Sequence, residues 1–180
     1  FKPGFEYKET IKSGSIAAAA GGYTTICSMA NTLPVADNRS VIENILECAS
    51  QEAHVRVLPL ASITQGMQGQ TIVEMGDLSE AGAIGFSDDG IPLASTNTMR
   101  TALEYASRFE RPVANHAEDS EMTVGATMNE GLISTKLGLP AAPRQAEEIM
   151  ISRDVLLSEL TGGSYYALHL SSGGSVELIR

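Results

Sequence analysis

Hydrophobic and polar positions along the chain alternate between helical and extended patterns. Residues 9–20 are strongly helix-forming and end at Gly21-Gly22, a common stop signal for a helix. Residues 23–29 are apolar and β-branched, which is typical of a strand. The same criteria predict strands at 55–61, 83–86, 112–116 and 165–170, and helices at 37–53 (capped by Asp37), 72–80, 97–109, 142–160 and from Ser175 onward.

This alternation favours parallel strands joined by crossover helices, because a helix between two strands carries the chain back to the same edge. An open doubly wound sheet and a (β/α)8 TIM barrel both fit. A doubly wound nucleotide binder typically carries a G-x-G-x-x-G loop after a strand, and the sequence has none. A complete barrel needs about 250 residues, so the 180 residues here supply about five or six β/α units of a partial barrel.

Composition narrows the classes of partner. The chain is 43% hydrophobic and its formal net charge is −10, so the basic footprint of a nucleic-acid binder is missing. No apolar stretch reaches the roughly 20 residues that a membrane helix needs. We therefore expect a soluble, cytoplasmic protein that binds neither nucleic acid nor membrane. Cys27 and Cys48 cannot form a disulfide framework and are expected to be small buried hydrophobes.

Three side chains able to bind a metal fall at predicted strand ends. Asp89 follows the strand at 83–86, while His116 and His169 lie at the ends of the strands at 112–116 and 165–170. In a parallel barrel all three project from the same rim, where a carboxylate can bridge two metals and imidazoles can complete their coordination. The alternative is structural: Asp88-Asp89-Gly90 also suits a tight turn. His54 lies at the opposite end of a strand and is expected to be structural.

Other polar residues are weaker candidates. Asn31 follows the first strand, and its amide could bind a substrate carboxylate or cap the loop. The segment 117–141 has little strand character and follows His116 directly, on the face where barrel active sites form. No Ser-His-Asp or Cys-His arrangement is evident. The remaining acids of interest are expected to be solvated: Glu118, Asp119, Glu121, Glu147 and Glu148.

Several short motifs occur in a specific order and spacing. They are Pro3-Gly4-Phe5-Glu6-Tyr7-Lys8-Glu9-Thr10, Gly21-Gly22-Tyr23-Thr24-Thr25, Met29-Ala30-Asn31-Thr32-Leu33-Pro34, Phe86-Ser87-Asp88-Asp89-Gly90, Asn115-His116-Ala117-Glu118-Asp119, Asn129-Glu130-Gly131, Ala146-Glu147-Glu148, and Thr161-Gly162 followed by His169-Leu170-Ser171-Ser172. Together they resemble the class I, bacterial type of dihydroorotase in the amidohydrolase superfamily. The resemblance runs nearly from end to end of the chain.

The resemblance implies an amidohydrolase (β/α)8 barrel with two Zn²⁺ ions per subunit. It implies reversible hydrolysis of the cyclic amide (S)-dihydroorotate to N-carbamoyl-L-aspartate, in de novo pyrimidine biosynthesis. By motif, Asp89 takes the position of the bridging carboxylate, and His116 and His169 take two strand-end ligand positions. Asn31 takes a position that helps to hold the substrate carboxylate.

The chain departs from the family at both ends. The family carries a His-x-His pair and an Arg-Glu-Pro-Gly stretch where this chain begins Phe1-Lys2-Pro3-Gly4. The family's general acid/base Asp is expected beyond Arg180. Residues 1–180 are therefore expected to be the central segment of a longer barrel, lacking its first strand and its C-terminal strands.

Two alternatives stay open at this point. A hydantoinase or allantoinase shares the barrel but usually bridges its metals with a carboxylated lysine, whereas Asp89 stands at that place here. A non-catalytic homologue could serve as a structural partner of aspartate transcarbamoylase. A homodimer and an association with that enzyme are the macromolecular partners to consider, beside the small-molecule substrate.

Overall fold

The chain folds into parallel strands covered by helices. The computed structural model describes residues 2–180, so Phe1 lies outside the described residues. In chain order the elements are α1 Ile11–Ala20, β1 Thr25–Ser28, α2 Arg39–Glu52, β2 Arg56–Pro59, α3 Met75–Ala81, β3 Phe86–Ser87, α4 Thr96–Ser107, β4 Val113–Asn115, β5 Met128–Asn129, α5 Leu132–Leu137, β6 Ala141–Ala142, α6 Gln145–Thr161, β7 Tyr165–Ala167 and α7 Gly173–Ile179, with a 3₁₀ turn at Gln65–Met67.

Five of the strands lie side by side in the order β1-β2-β3-β4-β7. β1 pairs with β2, β3 with β4, and β4 with β7, all in parallel. A parallel bridge between Ala61 and Phe86 joins β2 to β3, with Ser87 N donating to Ala61 O at 2.8 Å. The order follows the chain without the reversal that defines a doubly wound sheet. This parallel α/β arrangement confirms the predicted alternation and is consistent with part of a barrel.

The hydrophobic core lies between the strands and the helices α2, α3 and α4. Helix α4 buries four residues at helical spacing, Met99, Ala102, Leu103 and Ala106. Its stripe packs with other fully buried side chains, which are Ile42, Ile45, Ile63, Met75, Leu78, Phe86, Leu93 and Val113. The core therefore fixes the strands from the helical side and leaves their carboxyl ends free for polar groups.

The predicted cap of α2 is wrong by one residue. Asn38 is the N-cap, and its side chain accepts a hydrogen bond from Val41 N at 3.2 Å. The carboxylate of Asp37 is engaged elsewhere, because it accepts from Gly66 N at 2.9 Å. The Asp37 side chain is therefore hydrogen-bonded to a distant loop, and the neighbouring Asn38 caps the helix.

The prediction that both cysteines are buried is also wrong. Cys27 is exposed and Cys48 is half-buried. Cys27 lies on β1, which pairs with β2 among residues 2–180. Cys48 lies beyond the buried stripe of α2, which is formed by Val41, Ile42 and Ile45.

The segment 117–141 has more regular structure than its sequence indicated. β5 and β6 form a small parallel sheet, with Met128 opposite Ala141, and α5 connects them. Ala142 belongs to that sheet, so α6 begins at Gln145 instead of the predicted residue 142. Throughout the part of the chain that the structure describes, every helix is too short or too polar to cross a membrane.

Candidate metal centre

Asp89, His116 and His169 lie together at the carboxyl ends of three adjacent strands. Asp89 comes two residues after β3, His116 follows β4 directly, and His169 comes two residues after β7. Because β3, β4 and β7 are parallel neighbours, their ends open at one edge of the sheet. Sheet topology therefore brings together side chains that are up to 80 positions apart in the sequence.

The potential ligand atoms of these residues are close enough to share one ion. His116 Nδ1 lies 2.8 Å from His169 Nε2 and 3.7 Å from Asp89 Oδ1, and His169 Nε2 lies 3.3 Å from the same oxygen. A triangle of this size has a point about 2 Å from all three corners, which is the usual length of a zinc bond to imidazole nitrogen or carboxylate oxygen. Two nitrogens and one oxygen form a donor set that suits Zn²⁺.

The cluster is open to solvent on one side. The side chains of Asp89 and His116 are 21% and 23% exposed, whereas that of His169 is 54% exposed. On its other side, His116 Nε2 lies 3.5 Å from Glu118 Oε2, and Glu118 accepts a hydrogen bond from Thr123 Oγ1 at 2.6 Å. A carboxylate beside the outer nitrogen of a ligating histidine fixes the orientation of the ring and raises its basicity.

Asn31 lies beside this cluster. Its Nδ2 donates to the backbone oxygen of Asp89 at 3.5 Å. Asn31 and Asp89 both line two neighbouring cavities, of about 260 and 340 Å³. The amide thus borders the space in front of the cluster, where a small molecule could lie.

The neighbouring Asp88 points the other way, into the protein. Its side chain is buried and accepts hydrogen bonds from Ile63 N at 2.7 Å, Thr64 N at 3.2 Å and Thr64 Oγ1 at 2.5 Å. Burial raises the pKa of Asp88, while the bonds from Thr64 and Ile63 oppose that rise. Successive side chains at a strand end alternate in direction, so one aspartate anchors the strand and the next reaches the cluster.

A second buried carboxylate was not singled out in the sequence. Asp154 on α6 is fully buried, and its Oδ2 accepts from Asn115 Nδ2 at 2.7 Å. Asn115 Oδ1 in turn accepts from Leu93 N at 3.3 Å, and Arg153 Nη1 donates to Ala94 O at 2.9 Å. This network joins α6 to the end of β4 and to the loop after Asp89. The available signal was an acid at a buried helical position, between Met150 and Leu157.

The predicted solvated acids divide into two groups. Glu121 is exposed as expected, whereas Glu118 and Asp119 are half-buried and accept hydrogen bonds from Thr123 Oγ1 and Glu121 N respectively, so they are not simply solvated. The prediction is wrong for Glu147 and Glu148, which are half-buried and accept hydrogen bonds from Ser171 and Ser172. These serines lie just past His169, and that loop is brought to α6 only by the tertiary fold.

His54 is separate from the cluster. It is exposed just before β2, at the amino end of the strand, and its backbone nitrogen donates to Ser15 Oγ at 3.0 Å. Among residues 2–180, the one group of His, Cys, Asp and Glu side chains with the spacing of a metal site is Asp89, His116 and His169.

Comparisons with known sequences point to one family. A family model described as dihydro-orotase-like matches residues 1–175. The chain is 52% identical over 179 residues to the dihydroorotase of Syntrophus aciditrophicus, covering 99% of this chain and 42% of that protein. It is 48% identical over 178 residues to the dihydroorotase of Syntrophobacter fumaroxidans, covering 99% and 40%. The chain thus spans about two fifths of the length of the curated relatives it matches.

Comparisons with solved structures concern the fold. L-hydantoinase from Arthrobacter aurescens matches with a TM-score of 0.72 at 21% identity, covering 94% of this chain and 39% of that chain. D-hydantoinase from Bacillus sp. AR9 matches with a TM-score of 0.69, also at 21% identity and with the same coverage. The chain therefore shares its parallel α/β architecture with part of these proteins.

Proposed function

Because the chain belongs to the dihydro-orotase-like family, we propose that the whole protein is a dihydroorotase. The reaction is the reversible hydrolysis of (S)-dihydroorotate to N-carbamoyl-L-aspartate. The observation that carries the proposal is the convergence of Asp89, His116 and His169 within coordination distance at one edge of the parallel sheet. The close relatives named dihydroorotase support it over nearly the full length of this chain.

In this proposal the three converging side chains hold zinc, with two ions per subunit. Asp89 would supply the bridging carboxylate, and His116 and His169 would supply ring nitrogens as ligands. When bound, zinc supplies Lewis acidity, which polarises a carbonyl group and activates water. The exposed side of the cluster gives the cyclic amide access to the centre.

Asn31 orients the substrate in this proposal. Its amide borders the cavities next to Asp89 and offers a hydrogen-bond donor to the substrate carboxylate. Such a contact holds the ring amide toward the cluster, and orientation of this kind lowers the entropic part of the barrier.

We propose that residues 1–180 are the central part of a longer barrel. The chain spans about two fifths of the length of its relatives. In this proposal the family's His-x-His pair and its general acid/base Asp would lie in the rest of the whole protein. That Asp would transfer the proton to the leaving nitrogen. A homodimer, an association with aspartate transcarbamoylase and a cytoplasmic location stay predictions.

The test uses the full-length protein, purified without chelators. We expect about two zinc ions per chain and turnover of dihydroorotate in preference to hydantoin or allantoin. His169→Ala should reduce zinc content and turnover by at least about 100-fold, since loss of a direct ligand exceeds the effect of an outer-sphere change. His54→Ala, at the other end of the strands, is the matched control and should keep both.

Two results would contradict the proposal. Clean, folded protein with neither zinc nor turnover would support the non-catalytic scaffold. Turnover of hydantoin without dihydroorotate would place the protein among the hydantoinases despite its sequence relatives.

A further inference from the structure

The loop that carries His169 is held by the first turn of α6. Glu147 Oε2 accepts hydrogen bonds from Ser171 N and Ser171 Oγ, both at 2.8 Å, and its Oε1 accepts from Ser172 N at 2.9 Å. The adjacent Glu148 accepts from Ser172 Oγ at 2.5 Å. Hydrogen bonds to a carboxylate are about twice as strong as those between neutral groups, so this contact is a firm attachment.

His169 itself has a conformation that needs such an attachment. Its backbone φ is 30°, in the left-handed region that residues other than glycine rarely adopt. The strand pairing of β7 ends at Ala167, two residues earlier. The imidazole is 54% exposed, so its packing contributes little to its position. A strained residue persists where its surroundings fix it, and here the nearest fixed point after His169 is the Glu147 contact.

We propose that Glu147 is a positioning residue for His169. This inference rests on the proposed metal centre. By fixing Ser171 and Ser172 to α6, Glu147 holds the backbone of His169 in its left-handed conformation and keeps Nε2 beside Asp89 and His116. Glu147 has no hydrogen bond to the candidate ligand atoms; it lines the cavity beside His116 and His169 but not the cavities next to Asn31. Its hydrogen bonds go to Ser171 and Ser172, so its effect on the position of His169 passes through the loop.

The chemistry of the contact requires a carboxylate. The carboxylate of Glu147 accepts hydrogen bonds from two backbone N–H groups and one hydroxyl group. In Glu147→Gln one oxygen becomes an NH₂ group, which faces a donor and cannot accept from it. Glu147→Asp retains both acceptors on a shorter side chain. The first variant loses one acceptor oxygen with little change of volume, so at least one of the three hydrogen bonds is lost. The second keeps both acceptors on a shorter side chain and is expected to restore part of the attachment.

The experiment measures zinc affinity in the full-length protein, by competition with a chromophoric chelator. We expect Glu147→Gln to weaken zinc binding 10- to 100-fold, in the range found for outer-sphere partners of metal ligands. Glu147→Asp should recover part of that loss. The matched control is Glu159→Gln, an exposed glutamate on the same helix, and its affinity should equal that of the parent.

A second readout separates positioning from general stability. In the Co²⁺-substituted protein, Glu147→Gln should change the visible d–d spectrum, because the geometry at His169 changes, whereas Glu159→Gln should not. Parent protein that binds no metal would overturn the proposed function, and the inference with it. Parent that binds zinc while Glu147→Gln keeps the same affinity and spectrum would overturn the inference alone. If Glu147→Gln does not fold, parental affinity and spectrum in folded Glu147→Asp would overturn the inference, and weakened binding would support it.

Discussion

At the scale of single residues, three buried or half-buried carboxylates surround the candidate metal centre without belonging to it. Asp88 anchors the end of β3, Asp154 joins α6 to β4, and Glu147 holds the loop after His169. Each satisfies its oxygens with donors, which is the condition under which a polar group can be buried. These three carboxylates therefore support the segments that carry the cluster through hydrogen bonds to neighbouring groups.

Asp154 makes stability depend on pH in a defined direction. Burial raises the pKa of Asp154 above its ordinary value of 3.8, against the opposing charge of Arg153 and the hydrogen bond from Asn115. Tyr165 also faces Asp154, but a phenol ordinarily titrates near pH 10 and burial raises the pKa of Tyr165 further, so it stays neutral in the acidic range. The folded protein therefore binds the Asp154 proton more readily than the unfolded chain. This contribution to stability is complete below about pH 4 and is lost as pH rises through the raised pKa.

We therefore predict that the parent loses stability relative to Asp154→Asn as pH rises above about 4 and through the raised pKa, by up to about 1.4 kcal/mol per pH unit inside that interval. The free energy of unfolding from urea titrations at several pH values is the measurement. The quantity compared is the pH dependence of the difference in the free energy of unfolding between parent and variant. The absolute difference is not used, because the amide in Asp154→Asn also loses a hydrogen-bond acceptor and changes stability by a similar amount at every pH. Glu121→Gln, an exposed acid, is the control; a pH-independent difference for Asp154→Asn would contradict the prediction.

At the scale of elements, α6 does the most to position the cluster. Its buried face, at 3- to 4-residue spacing, consists of Ala146, Met150, Ile151, Asp154 and Leu157. Its first turn holds the loop after His169, its middle joins β4, and its end leads through Gly163 into β7. The helix is therefore linked to two of the three strands whose ends carry the candidate ligands.

Gly163, in the turn after α6, lies where an added side chain is expected to destabilise the fold. A Cβ there would lie 2.7 Å from the backbone oxygen of Leu103 on α4 and 3.0 Å from its carbonyl carbon. Since backbone cannot swing aside, Gly163→Ala should lower the free energy of unfolding by about 1–3 kcal/mol. Chemical denaturation measures this change. Gly173→Ala, with no atom within 4 Å of the added Cβ, should be neutral or stabilising by about 0.4–1 kcal/mol; equal losses in both variants would refute the packing argument.

At the scale of the whole molecule, the candidate centre exists only when the sheet is assembled. Its ligands come from three strands, and Asp89 and His169 are 80 positions apart. The unfolded chain cannot hold these atoms together, so a metal bound by them stabilises the folded state. Folding and metal binding are therefore expected to be coupled in this protein.

Zinc should accordingly raise the stability of the full-length protein. At a free concentration of 100 times its dissociation constant, the expected gain is about 2.7 kcal/mol. Thermal unfolding with added zinc and with a chelator measures the gain. His169→Ala should lose most of this gain, and an equal effect of zinc on parent and variant would mean that it binds elsewhere.

Local sequence patterns are sufficient to predict the succession of elements and the positions of the polar residues along it. Strands precede Asp89, His116 and His169, and helices separate those strands. Both kinds of element depend on local steric preferences and on the spacing of hydrophobic residues, which a short stretch of sequence contains. This is why the parallel α/β class and the strand-end positions of these residues could be predicted. The family motifs added the chemistry that local patterns cannot specify.

The contacts of each polar or small side chain, by contrast, depend on how distant segments pack together. The sequence predicts Asp37 as a helix cap, but its carboxylate accepts a hydrogen bond from Gly66 instead. It predicts Glu147 as a solvated acid, but the carboxylate of Glu147 accepts hydrogen bonds from Ser171 and Ser172. Cys27 lies in an apolar run of the sequence and is nevertheless exposed, because distant segments decide which face of a strand is covered. Burial and hydrogen-bond partners depend on residues distant in sequence, and it is the packing of strands and helices that brings them into contact.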